Sequence, residues 1–276
     1  MNVDELELTK IINLVTEITG IVPRDSHITG IKNWIEKRKV ELEVENYYDF
    51  LKTDNEEFLN LINGSTVNET YFFREQSQFE FLHDTILPEL RLKYPLEKIR
   101  IWSAASSTGE EVYSLYLLAK SLGIRTECTA TDINTKVLNV LKEGKFKKNS
   151  AKLVDGAEFA YLLEPFKQED GSFVFPQEIC SSINSRQINL SSIENPPKNQ
   201  HLIFLRNVFI YFTPEMKKKI LEVIAQECLI DGGYLFVSMN EVASLDFNIL
   251  PKCFQKQCGG NNNRIFYFQK KGELNG

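Results

Sequence analysis

Apolar residues at Ile11, Ile12, Leu14, Val15 and Ile18 recur at helical spacing, and Gly20 follows them as a stop. Asp25 or Ser26 is placed to cap a second helix that turns Ile28, Ile31 and Ile35 inward. Residues 47–51 and 58–62 supply two more short amphipathic segments, and no strand pattern occurs before residue 98. From there the pattern changes. Ile99-Arg-Ile-Trp102 reads as a strand, followed by a turn of small residues and a helix over 110–122. A strand over 128–131 ends in Asp132, and a helix follows through Val137, Leu138 and Leu141. The strand at 201–205 precedes a helix that starts near Pro214 and is expected to stop at Gly232-Gly233. Strands at 234–237 and 264–268 complete the series, and residues 171–183 read as a small β-hairpin. Strands alternating with helices predict an α/β domain with a doubly wound, mostly parallel sheet, behind a small all-helical N-terminal domain. The expected division is 1–75 and 76–276, with a β-subdomain at about 166–185. Ligands of such sheets sit beyond the carboxyl ends of the strands.

Charge sharpens this division. The chain has 276 residues and a formal charge of −6. Residues 1–64 hold seven Lys and Arg against 13 Asp and Glu, so the remainder is formally neutral. That balance speaks against a nucleic-acid partner. No apolar run is long enough to span a bilayer, so no membrane insertion is expected. The start, MNVDELELTK, is acidic and lacks the apolar stretch of a secretion signal. The five cysteines are odd in number and form no C-x-x-C, which predicts a reducing, cytoplasmic setting. Cys253 and Cys258 flank FQKQ without a nearby histidine, and no metal centre is expected. Nothing demands more than a monomer.

Four segments carry candidate chemistry. In Ser103-Ala-Ala-Ser-Ser-Thr-Gly-Glu-Glu111, small residues let a ligand approach the backbone, and a helix N-terminus stands behind. Glu110 and Glu111 either cap that helix or accept hydrogen bonds from a ligand ammonium. The turn has neither G-x-G-x-x-G nor a lysine after its glycine, so a phosphate loop is not expected. Asp132, at the end of the second strand, is placed either to take both hydroxyls of a ribose or to cap the helix beginning near Asn134. Together the turn and the acid suggest an adenosine-type ligand. Past the next strand lies Arg206-Asn207-Val-Phe-Ile-Tyr211. There Tyr211 either packs in the core or offers its π-face to a cation such as a sulfonium. Last, Asn68-Glu-Thr70-Tyr-Phe-Phe73-Arg74-Glu75 lies at the junction of the two regions. Its aromatics read as staples, while Arg74 offers a fork of donors to a carboxylate.

With these segments in hand, the chain resembles the chemotaxis receptor methyltransferase (CheR) family. The matching strings are Asn68-x-Thr70-x-Phe72-Phe73-Arg74-Glu75, the turn from Ile101 to Glu111, Ala130-Thr-Asp132-Ile, Asn189-Leu190 and Arg206-Asn207-Val-x-Ile-Tyr211-Phe212, in order over roughly residues 1–270. The resemblance implies a Rossmann-like class I S-adenosylmethionine-dependent methyltransferase domain. A helical N-terminal domain and a small β-subdomain insertion would accompany it. By the resemblance, Asn68, Thr70 and Arg74 close over the amino-acid end of S-adenosylmethionine. Glu111, with Glu110, binds its ammonium, and Asp132 holds its ribose. Asn189 and Leu190 border its adenine. Arg206 and Asn207 line the pocket near the reacting centre. Arg74 and Tyr211 stand nearest the catalytic step.

The implied activity is methyl-ester formation on glutamates of methyl-accepting chemoreceptor cytoplasmic domains. A cofactor-binding signalling adaptor, or a methyltransferase for another protein or a small molecule, are the alternatives. Two departures from the family stand out. Where relatives present basic residues and an Arg-Leu pair on the second helix, this chain has Trp34-Ile35, with cations at Lys32 and Lys37-Arg38-Lys39. Those last three read either as a docking remnant or as a solvated face. Where relatives have a Gly-His-Ser-Glu-like string, this chain reads Val237-Ser-Met-Asn-Glu241.

Overall fold

The computed structural model describes residues 3–152, 154–260 and 264–272. The outer ends of both expected regions, 1–2 and 273–276, lie outside the described residues. Helix α1 (Glu5–Thr19) starts at Asp4, whose carboxylate accepts the Glu7 N–H. It stops at Gly20, which takes the left-handed turn at φ 70° and donates its N–H to Thr16. Helix α2 (Asp25–Glu41) has no side-chain cap. Its N-cap position is Arg24, so neither Asp25 nor Ser26 plays the expected role, and Asp25 instead sits in the first turn. The short α3 (Tyr47–Leu51) and α4 (Asn55–Gly64) complete this part, capped by Asn46 and Asp54. These helices share a core of their own, built on Ile11, Val15, Ile31, Ile35, Tyr47, Leu51 and Leu61.

A second run of helix was not legible in the sequence pattern. Helix α5 (Gln76–Phe81) continues through a wide turn at Leu82–Ile86 into α6 (Leu87–Lys93). The alternating units follow: β1 (Ile99–Ala104), α7 (Glu110–Ser121), β2 (Thr126–Asp132), α8 (Thr135–Glu143), β3 (Lys145–Phe146), β4 (Phe173–Val174), α9 (Gln177–Ser182), β5 (Ile183–Gln187), β6 (Gln200–Leu205), α10 (Pro214–Val223), β7 (Leu229–Phe236), α11 (Met239–Ser244), β8 (Phe254–Gly259) and β9 (Ile265–Lys270). Among the described residues the main sheet has seven strands, ordered β5-β2-β1-β6-β7-β9-β8, and β9 runs against its neighbours. Both faces of the central strands are buried. Ile101, Leu202 and Phe204 join one cluster, and Trp102, Ile203 and Leu205 the other. That is why these strands read as continuous apolar runs.

Two expected elements are corrected. Residues 171–183 do not form a hairpin. The two-residue strand β4 pairs with β3 across the chain, Pro176 opens α9, and the segment then enters the main sheet as β5 beside β2. The alternation of Phe173 and Phe175 reflects packing on Phe72 and Phe146, and the turn-linked antiparallel partner of Phe173 is Lys167, upstream of the expected hairpin. Gly232-Gly233 does not end a helix either. The helix stops by Cys228, and both glycines lie inside β7.

Candidate active site

The strand order reverses at β1, with β2 on one side and β6 on the other. Beyond the carboxyl ends of β1, β2, β5 and β6 lies a cavity, roofed by residues 66–74 and by the link between α1 and α2. Its wall after β1 is bent. Ala105 and Ser107 hold positive φ at 60° and 49°, and Gly109 at 102°. A Cβ on Gly109 would come within 2.6 Å of Leu141 Cγ, so glycine is required by both conformation and space. Phe73, Glu75 and Asn207 are also left-handed. Strained backbone of this kind gathers at ligand sites, where surrounding contacts over-determine it.

Asp132 closes β2 with its carboxylate buried. Oδ2 accepts the Ser107 N–H at 2.8 Å and Oδ1 the Asn134 N–H at 2.9 Å. Each oxygen keeps a lone pair for a further donor. Burial pushes this carboxyl up from its ordinary range, against the pull of those N–H groups. The helix cap considered for Asp132 belongs to Asn134, whose Oδ1 accepts from Lys136 and Val137.

Glu111 and Glu110 part company. Glu111 lines the cavity, accepts the Ser103 hydroxyl at 2.7 Å and meets Arg206 Nη1 at 3.2 Å. Burial raises its pKa, and the Arg206 charge opposes the rise. Glu110 faces away from the cavity. Its carboxylate accepts the hydroxyls of Thr108 and Ser150, in a buried position behind the turn. The expectation that Glu110 shares the ligand ammonium is therefore corrected.

Arg206 is almost wholly buried, with its guanidinium near the rings of Phe79 and Phe204. It donates to the Arg74 carbonyl and lies 3.7 Å from Glu75. It therefore fixes residues 74–75 against α7 through charge-assisted bonds. Arg74 is half-buried and lines the cavity: its Nη1 donates to the Glu69 carbonyl at 2.7 Å, and its guanidinium lies 5.4 Å from the Tyr71 ring. Tyr211 is half-buried in the wall of the same cavity, edge-on to His27. Burial raises its phenol pKa.

Asn68, Thr70, Asn189, Leu190 and Asn207 line the same cavity. The Asn68 amide donates to Thr66, and the Asn189 amide to the Ile18 carbonyl at 2.7 Å. The Asn189 side chain thus ties α1 to the sheet, which leaves its backbone and Leu190 to face a ligand.

Sequence reasoning missed Thr19, Ile21, His27 and Phe79 as wall residues. No motif marks them, because they arrive from elements distant in sequence. It also missed the role of Glu241. This buried carboxylate forms a capping box with Ser238 and accepts the backbone N–H groups of Asn207 and Phe209 at 2.8 and 2.7 Å. The odd string after β7 was its signal.

The cavity suits S-adenosylmethionine. Glu111 offers a carboxylate to an ammonium, and Asp132 offers acceptors to a diol. The Ser106 hydroxyl and Arg206 Nε are buried without a partner. Residues 68–257 match the family model described as "CheR methyltransferase, SAM binding domain". The chain belongs to the CheR methyltransferase family. It is similar to chemotaxis protein methyltransferase 2 of Vibrio cholerae, with 34% identity over 77% of this chain and 76% of that protein. It is also similar to the chemotaxis protein methyltransferase of Borreliella burgdorferi, with 27% identity over 93% of this chain and 96% of that protein. This CheR-family chain is a methyltransferase whose methyl donor is S-adenosylmethionine. Among the described residues no helix is long and apolar enough to cross a membrane, and no cluster of three metal-ligating side chains occurs.

Proposed function

We propose that this CheR-family enzyme forms methyl esters on glutamate side chains of chemoreceptors, with its division into helical and catalytic regions near residue 75. The observation that carries this reading is one cavity, at the reversal of strand order, that gathers Glu111, Asp132, Arg74 and Tyr211. Relatives named chemotaxis protein methyltransferases support the substrate class.

The division of labour follows from charge. Glu111 would hold the cofactor ammonium, Asp132 the ribose hydroxyls, and Asn189 with Leu190 the adenine edge. When bound, S-adenosylmethionine supplies a methyl group activated by its sulfonium. A glutamate carboxylate has a reference pKa of about 4.3 and is already ionised at neutral pH, so no residue of the chain needs to remove a proton. The protein's share is to bring the acceptor into line and to exclude water. Arg74, at the cavity mouth, has the fork of donors to steer a carboxylate. Tyr211, in the wall of the same cavity, offers a ring face toward positive charge. Arg206 and Asn207 shape the floor between them.

The test is transfer of labelled methyl from S-adenosylmethionine to receptor-rich membranes of the source organism, followed by mild base. Volatile labelled methanol, lost in Asp132→Ala, is expected. Cofactor binding without any base-labile label would overturn the receptor reading.

A further inference from the structure

On the second helix, where Lys37-Arg38-Lys39 read either as a docking remnant or as a solvated face, each of the three cations is paired with a carboxylate of the helical region. Lys39 is buried and pairs with Glu7 at 2.7 Å. Arg38 pairs with Glu57 and Glu41, and Lys37 with Glu41. The region around them is net acidic. An acidic acceptor gains nothing electrostatically by approaching it.

Elsewhere the opposite holds. Residues 136–152, from the solvent face of α8 through β3, hold six lysines against one glutamate, in a chain of net charge −6. Lys136, Lys142, Lys145, Lys147, Lys148 and Lys152 are all exposed. Of these, Lys152 has an ion-pair partner among the described residues, Glu69 at 3.6 Å, and its ammonium lies 4.2 Å from the Tyr71 ring. Glu69 lines the mouth of the cavity, two residues from Tyr71 and five from Arg74. Ser150, within the same stretch, bonds Glu110 through its hydroxyl and the Phe72 N–H through its carbonyl. The lysine surface is therefore anchored to the segment that roofs the active site.

We infer that the lysine-rich surface of residues 136–152 is the docking face for the acidic, glutamate-bearing protein segment that the enzyme methylates. This rests on the reading above. Like-signed lysines held together with few opposite charges among the described residues cost self-repulsion, which an acidic partner relieves. Complementary charge of this kind sets encounter rate and orientation, and salt weakens it. A nucleic acid fits less well, because the rest of the chain is strongly acidic and would repel a dense polyanion.

The experiment compares wild type with the triple variant K142E/K145E/K147E and with the α2 control K32E/K37E. Circular dichroism checks the fold, and calorimetry checks affinity for S-adenosylhomocysteine. In labelled-methyl assays on receptor-rich membranes, the triple variant should raise KM for the membranes by about tenfold, with kcat and cofactor affinity within about twofold. Wild-type KM should climb with salt, and the variant's should climb less. An unchanged KM, or an equal shift in the α2 control, would overturn the assignment. Should wild type form no base-labile ester, the substrate reading fails first. Salt-sensitive co-sedimentation with the same membranes then decides: loss in the triple variant upholds the surface, and equal sedimentation overturns it.

Discussion

A helix turns by about 100° per residue, so Glu110 and Glu111 leave α7 toward different surroundings. No sequence pattern separates two adjacent glutamates at a helix start. The separation comes from Ser103 and Arg206 on one side and from Thr108 and Ser150 on the other. Glu111→Gln should weaken S-adenosylhomocysteine binding by roughly tenfold or more, as expected for losing a charged hydrogen bond. Glu110→Gln should leave it within about twofold. The stability of Glu110→Gln carries a sign. Burial raises the Glu110 pKa above its unfolded value near 4.5. The stability that the protonated acid contributes is present below that value and is lost as pH rises through the folded pKa. Glutamine does not ionise, so the stability difference should move in the variant's favour between pH 4.5 and pH 8 in urea titrations. Equal losses of affinity in the two variants would refute the separation. The place of Asp132 in the cavity, by contrast, was legible in advance, because an acid at the end of the second strand stands at the carboxyl edge of the sheet, where ligands of this topology sit.

At the scale of elements, the strands buried on both faces announced themselves, and the polar edge strand did not. Strand β5, Ile-Asn-Ser-Arg-Gln, has one neighbour and half-exposed side chains, so it lacks the apolar run that marked β1 and β6. Its register with β2 nonetheless delivers Ile188, Asn189 and Leu190 to the cavity. Helix α11 was equally hidden, yet it steadies the loop that carries Arg206, Asn207 and Tyr211. Glu241 holds that loop by two backbone N–H groups and closes its own helix start by a third, from Ser238. Asn207, left-handed at φ 59°, has its N–H bound there. Replacing Glu241 with alanine leaves those buried donors without acceptors, at about 1–3 kcal/mol. Thermal unfolding should register the loss, and kcat should fall more than cofactor affinity. Glutamine retains one acceptor oxygen and should recover part of the turnover. Alanine and glutamine variants of equal turnover would show that the loop is held by other contacts.

Across the whole molecule, the cavity is a joint product of the helical region and the sheet. Thr19, Ile21, Thr66 and Val67 come from the first, and Asp132, Leu190 and Tyr211 from the second. Specific bonds lock the two together. Asn134 donates to the Asn63 carbonyl and to Thr66, Asn189 and Ser191 donate to the Ile18 carbonyl, and the Val22 N–H donates to the Tyr211 carbonyl. None of these long-range pairs has a sequence signature, which is why the regions were legible and their junction was not. A ligand that contacts both should stabilise both. The two tryptophans fall one on each side, Trp34 in α2 and Trp102 in β1, so Trp34→Phe and Trp102→Phe leave single reporters of each region. At 100 times its Kd, S-adenosylhomocysteine should add about 2.7 kcal/mol to the folded state. Each reporter should then show its fluorescence midpoint rise in urea by the same free energy, compared with the same variant without ligand. A rise seen by Trp102 alone would mean that the sheet binds the ligand while the helical region unfolds independently, and the cavity would then owe nothing to the residues of α1 and α2.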